Sequence, residues 1–103
     1  IWRLFCWQVI DECGMRTIAH VRVGSATGGG ISGGQKRKLM LATEMIAKPA
    51  LLFLDEPTSG LDATSSVQVM AACRKYCNSG RSVCVTIHQP RTEIFSSFDK
   101  LLL

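Results

Sequence analysis

The apolar residues of this chain fall into runs of two different periods. From Leu4 to Cys13 they recur densely enough to predict a helix, with Gly14 as its stop. From Val21 to Gly30 the chain is glycine-rich and reads as a loop. Leu39, Ala42, Met45 and Ile46 then recur at helical spacing, so a helix is predicted from about Gln35 to Ala47, capped by Ser32 and ended by Lys48-Pro49. Leu51 to Leu54 is a continuous apolar run of strand length, the pattern of a parallel strand buried on both faces. Helical spacing returns at Val69, Ala72, Cys73 and Tyr76, which predicts a helix over about Ala63 to Cys77. Asp62 is placed to cap it and Asn78-Ser79-Gly80 to close it. Ser82 to Ile87 is a second predicted buried strand, Thr92 to Phe98 a short helix, and Lys100 to Leu103 the start of a third strand.

Strand, helix, strand, helix, strand implies βαβ crossovers and a parallel sheet, an α/β fold. Ligands of such sheets sit beyond the carboxyl ends of the strands. Asp55-Glu56 and His88 both fall at such ends.

Composition narrows the picture. The chain has 103 residues, 47% of them apolar, so it suits one small globular domain. Its formal charge is +4, and Lys36-Arg37-Lys38 is the one basic cluster. Without interleaved aromatics this cluster predicts a solvated helix face near phosphate, and no nucleic-acid partner. Five scattered cysteines (Cys6, Cys13, Cys73, Cys77, Cys84) have no metal-site spacing and read as reduced, part-buried thiols. No window is apolar for the ~18 to 20 residues needed to span a bilayer. The apolar start lacks a signal-peptide cleavage pattern. With Ile at position 1 and an apolar run at its last residues, the chain is expected to be part of a longer protein.

Three clusters could carry chemistry. Asp55-Glu56 ends an apolar strand, where the turning backbone lets neighbouring carboxylates approach one site. One could hold magnesium and the other could orient an attacking water. His88 could hydrogen-bond a phosphate, whereas His20 reads as structural. Ser32-Gly33-Gly34 presents unobstructed backbone N–H groups at the positive end of a helix, an anion site. Two strings mislead. Gly28-x-Gly30-x-x-Gly33 matches a dinucleotide fingerprint but follows no strand. Gly29 and Gly34 have phosphate-loop spacing, but Gln35-Lys36 replaces the required Lys-Ser/Thr.

Taken in order, Ile31-Ser32-Gly33-Gly34-Gln35, Leu51 to Pro57, Ser59-Gly60-Leu61-Asp62 and Val85 to Pro90 resemble an ATP-binding cassette (ABC) ATPase. They correspond to its signature motif, Walker B strand, the loop after it and the switch histidine. The resemblance runs from about Val9 to the last residue. It implies a partial P-loop NTPase-type parallel sheet with flanking helices, plus part of the ABC helical subdomain. Residues 1–103 would then be the C-terminal part of an ATP-binding domain. It further implies ATP and Mg2+ as cofactors. Asp55 would hold the metal, Glu56 would be the general base and His88 the phosphate sensor. Ser32, Gly33, Gly34 and Gln35 would contact the γ-phosphate of ATP on the opposite cassette of a dimer, with Asp62 near that seam. A second nucleotide-binding domain and a transmembrane domain are the implied partners, at the cytoplasmic face of a membrane.

The wording Asp55 to Ser66, His88-Gln89-Pro90-Arg91, Glu93-Ile94-Phe95 and Phe98-Asp99 looks like the G branch, which includes the White-type and pleiotropic drug resistance transporters. Gln35 departs from the Glu common in that branch, and Gly28-Gly29-Gly30 is unusual there. The first eight residues lie outside the resemblance. No GxxxxGK[ST] motif occurs within the chain, and the Q-loop glutamine is not identifiable; both are expected before Ile1. The resulting expectation is part of a membrane exporter's ATPase. The rivals are a soluble ABC ATPase without membrane segments and a truncated, non-catalytic cassette remnant. The transported substrate is not encoded in these residues.

Overall fold

A computed structural model of the chain describes residues 1–25 and 27–103. It divides into two compact units, residues 1–50 and 51–103.

The first unit is helical. Helix α1 spans Trp2–Glu12 and α2 spans Gly33–Ile46, with a 3-10 turn at Arg16–Ile18 between them. Gly14 (φ 68°) ends α1, and the Gly14 and Met15 N–H groups close back onto the Asp11 and Ile10 carbonyls. The two helices pack together, and Val9, Cys13, Met15, Leu41, Ala42 and Met45 form the unit's buried apolar set. The face α2 buries is therefore Lys38, Leu41, Ala42 and Met45, at spacing i, i+3, i+4, i+7. That corrects the expectation for the basic cluster. Lys38 is only 6% exposed, because the helical period puts it on the core stripe, where its methylene stem can pack. His20 lies against Trp7, ring centroids 5.9 Å apart, and the Lys48 ammonium sits 3.9 Å over the Phe5 ring.

The second unit is α/β. Strand β1 (Leu51–Asp55) leads through α3 (Ala63–Asn78) to β2 (Ser82–Thr86), and α4 (Thr92–Phe95) follows. β1 and β2 pair in parallel, from Leu51 opposite Ser82 to Asp55 opposite Thr86. The predicted stripe of α3 is the buried one: Val69, Ala72, Cys73 and Tyr76, joined by Ser66 and Met70. Gly80 (φ 86°) closes that helix. The Arg74 guanidinium clamps the C-terminal segment, donating to Asp99 Oδ2 at 2.7 Å and to the Ser97 carbonyl.

Three expectations change. Lys100 to Leu103 forms no strand, since a strand is defined by a ladder partner and none lies along it; Leu102 and Leu103 are fully exposed. The last helix is one turn, not seven residues. The strands are not buried on both faces. Leu52 is 5% exposed whereas Phe53 is 71% exposed, and Cys84, beside Phe53, is exposed too.

Candidate functional site

Parallel pairing sets the geometry of the site. It places the last residues of β1 and β2, Asp55 and Thr86, side by side on one face. The Thr86 hydroxyl donates to Asp55 Oδ1 at 2.5 Å and accepts from the Glu56 backbone N–H at 3.0 Å. The Thr86 carbonyl accepts from the same N–H, also at 3.0 Å. Past the strand end the backbone turns sharply. Glu56 has φ 44°, and Gln89, just after His88, has φ 46°. Non-glycine residues in this left-handed region cost about 1 kcal/mol or more each, and such strain concentrates at functional sites. Here it turns each strand end over one hollow. The turn after β1 is completed by Ser59 N–H donating to the Glu56 carbonyl and Leu61 N–H to that of Thr58.

The hollow is a cavity of about 230 Å³ lined by Glu56, Ser59, Ser66, His88, Gln89 and Arg91, among others. It unites the two expected catalytic side chains, Glu56 and His88. Asp55 stands one residue back, outside the lining and tied to it through Thr86. A larger cavity, about 470 Å³, runs along α3, β2 and residues 97–100. It holds none of the expected site residues, and the smaller one is the better candidate on chemistry. Asp62 occupies the N-cap position of α3, its carbonyl accepting from Ser66 N–H at 3.0 Å, but its carboxylate makes no cap bond. The capping role expected for that side chain is thus not realised.

The loop expected to meet phosphate, Ser32-Gly33-Gly34, belongs to the first unit. Ser32 caps α2 in a complete capping box. Ser32 Oγ accepts from Gln35 N–H at 3.2 Å, and Gln35 Oε1 accepts from Ser32 N–H at 2.8 Å. The box thereby satisfies two of the four orphan donors of the helix start, the N–H groups of Ser32 and Gln35. The Gly33 and Gly34 N–H groups have no acceptor among the described residues. A Cβ at Gly33 would meet nothing within 4 Å, and its backbone is helical. The fold of this unit does not require glycine there.

Among the described residues no three His, Cys, Asp or Glu side chains cluster as a metal cage. Magnesium does not need one, since it keeps most of its waters and takes one or two carboxylates plus phosphate oxygens. Asp55 suits that role: an oxygen donor fixed at one atom, with Oδ2 uncommitted among the described residues. Sequence reasoning missed Thr86. The only signal was its place near the end of the second predicted strand, Ser82 to Ile87, and the register that makes it a partner of Asp55 is not readable from one strand.

A parallel α/β unit with acid, imidazole and a cavity gathered at its strand ends is the layout of a ligand-binding or hydrolytic α/β protein. The family described as ABC transporter matches residues 5–59, more than half of the chain, beginning earlier than the motifs alone suggested. The chain is 47% identical over 98 residues to "ABC transporter G family member 1" of Dictyostelium discoideum, covering 93% of this chain and 12% of that protein. It is 49% identical over 96 residues to "ABC transporter G family member 13" of Arabidopsis thaliana, covering 91% and 13%. It is 44% identical over 100 residues to "ABC transporter G family member 45" of Oryza sativa subsp. japonica, covering 97% and 7%. The chain belongs to the ABC transporter family, and its similarity is to G-family members. It spans about an eighth or less of the length of these three relatives. Among the described residues no helix is long and apolar enough to cross a membrane.

Proposed function

We propose that these residues form the C-terminal part of the ATP-binding cassette of a G-type membrane exporter and carry its hydrolytic groups. The observation that supports this best is the shared cavity of Glu56 and His88, with Asp55 bonded beside it. Asp55 would hold Mg2+, directly or through water, the ion neutralising charge on the β- and γ-phosphates. Glu56 accepts a hydrogen bond from the attacking water and orients its lone pair at phosphorus. His88 donates to a γ-phosphate oxygen and keeps the water in line. The Gly33 and Gly34 N–H groups, at the positive end of α2, meet the γ-phosphate of a nucleotide held by the second cassette. Transport is coupled because both halves of the site are complete only when two cassettes close on ATP. The grip on the nucleotide itself comes from a phosphate loop that residues 1–103 do not contain.

The test is Glu56→Gln in the full-length transporter. The amide keeps the shape but cannot take the proton, so turnover should fall ~100-fold or more with ATP affinity retained. Wild-type ATPase activity in that variant would remove Glu56 from the role.

A further inference from the structure

The Thr86 hydroxyl touches both carboxylate-bearing residues. It has a single proton to give and gives it to Asp55 Oδ1 at 2.5 Å. Its oxygen then takes the Glu56 N–H at 3.0 Å. One contact fixes the Asp55 carboxylate against rotation, because a bond to a single oxygen defines the plane of the group. The other shares the Glu56 N–H with the Thr86 carbonyl, which accepts it at 3.0 Å as well, and together they hold the backbone of Glu56 at φ 44°, a conformation that lapses unless its surroundings impose it. Both bonds are local to the strand ends, where Asp55 and Thr86 are register partners.

We propose that Thr86 is a positioning residue for hydrolysis. Its hydroxyl sets the direction of the Asp55 carboxylate and the turn from which the Glu56 side chain is aimed. In this role it acts through the two carboxylate-bearing residues and not on the nucleotide or the water directly. The assignment rests on the reading of Asp55 as metal-holding and Glu56 as water-orienting. Residues of other types at this position can keep a strand. A Ser or Thr hydroxyl gives a donor to the carboxylate and an acceptor to the amide from a single atom.

Four forms of the full-length protein decide it: wild type, Thr86→Val, Thr86→Ser and Glu56→Gln. Each is measured for kcat, KM for ATP, the Mg2+ concentration giving half-maximal rate, ATP affinity in EDTA by calorimetry, and melting temperature. Val has the size of Thr but neither donor nor acceptor. A bond to a charged carboxylate is involved, so Thr86→Val should lose about tenfold in kcat and need several-fold more Mg2+. ATP affinity in EDTA should stay within twofold, because no nucleotide contact is removed. Thr86→Ser should restore kcat and Mg2+ dependence to within about threefold, since it keeps the hydroxyl and drops only a methyl. A purely structural threonine would move the melting temperature and leave the Mg2+ dependence where it was. Should Thr86→Val not fold, Thr86→Ala makes the same comparison. Wild-type kcat and Mg2+ dependence in Thr86→Val, or Thr86→Ser as impaired as Thr86→Val, overturns the assignment. If Glu56→Gln is inactive while Thr86→Val is normal, this inference falls and the reading of the carboxylates stands. If Glu56→Gln is fully active, the reading of the carboxylates falls first.

Discussion

Replacing Gly33 by Ala separates what the fold needs from what function needs. Gly33 is the first residue of α2, its backbone is helical, and an added methyl would touch nothing within 4 Å. Alanine restricts the unfolded chain more than glycine does and suits a helix better, so the change should stabilise the protein. At a helix start the gain should lie near the low end of the Gly-to-Ala range, about 0.5 kcal/mol. For a domain of this size that is a rise in Tm of roughly 2–4 °C. The same methyl stands beside the N–H groups proposed to meet a phosphate from the partner cassette, where backbone must approach closely. ATP-driven closure and turnover should therefore fall while Tm rises. Gly33→Asp sharpens the contrast. A carboxylate at a helix start favours the helix, yet adds like charge at an anion site, so it should abolish closure without lowering Tm. The assay pairs thermal melting with cross-linking of the ATP-bound dimer in a hydrolysis-deficient background. A fall in Tm for Gly33→Ala would refute the claim that the fold leaves this position open. Normal closure and transport in Gly33→Asp would reduce Ser32-Gly33-Gly34 to a helix cap.

Two further outcomes follow from burial and exposure. Burial pushes the Cys13 thiol up to about 11, with Glu12 adding to the shift and Lys38 opposing it. The folded pKa is raised, so the unfolded state loses its proton first. The stability tied to this group is whole below pH 9 and is lost as pH climbs to about 11. Comparing urea unfolding of wild type and Cys13→Ala from pH 8 to 11 should show a steeper loss in wild type, by no more than about 2 kcal/mol in all; parallel curves would mean that the thiol titrates normally. Phe53, 71% exposed in the second unit, should make residues 1–103 prone to association. Phe53→Lys should render that segment more monodisperse in sedimentation while destabilising the full-length protein by ~2 kcal/mol or more; equal melting of the two full-length forms would mean that nothing covers Phe53.

The elements that the sequence predicts well are those with both a clean period and local punctuation. Helix α2 has Ser32 and Gln35 to start it and Lys48-Pro49 to stop it, so its limits come within two residues. Helix α3 and its stripe follow equally from Val69, Ala72, Cys73 and Tyr76. What the sequence hides is whatever depends on a neighbour. Lys38 reads as solvated until helix packing turns its face inward. Lys100 to Leu103 reads as a strand, but strand character is conferred by a partner. Glu56 and His88 could be placed at strand ends by pattern, yet that they share a cavity, and that Thr86 joins Asp55 to Glu56, depends on register. Asp62 illustrates the converse. Its position at the helix start is legible, whereas the bond its side chain was expected to make is not formed.

The run Leu51-Leu52-Phe53-Leu54 carries a last inference about the site. A continuous apolar run is the mark of a strand covered on both faces. In this chain one face is covered: Leu52 is buried, and Val83 and Val85 border the same cavity as Met70, Cys73 and Cys77 of α3. The other face carries Leu51, Phe53 and Asp55 on β1 and Ser82, Cys84 and Thr86 on β2, all exposed. Phe53 and Asp55 are two residues apart on that face, about 6.6 Å along the strand. A segment that buries Phe53 therefore has to lie within reach of Asp55 and of its bond to Thr86. On the proposed reading, the element that completes the apolar core and the element that brings phosphates to Asp55 are the same piece of chain, or immediate neighbours. That coupling accounts for an apolar strand ending in two carboxylates. On that reading, whatever buries Phe53 in the full-length protein also stands beside Asp55 and its bond to Thr86.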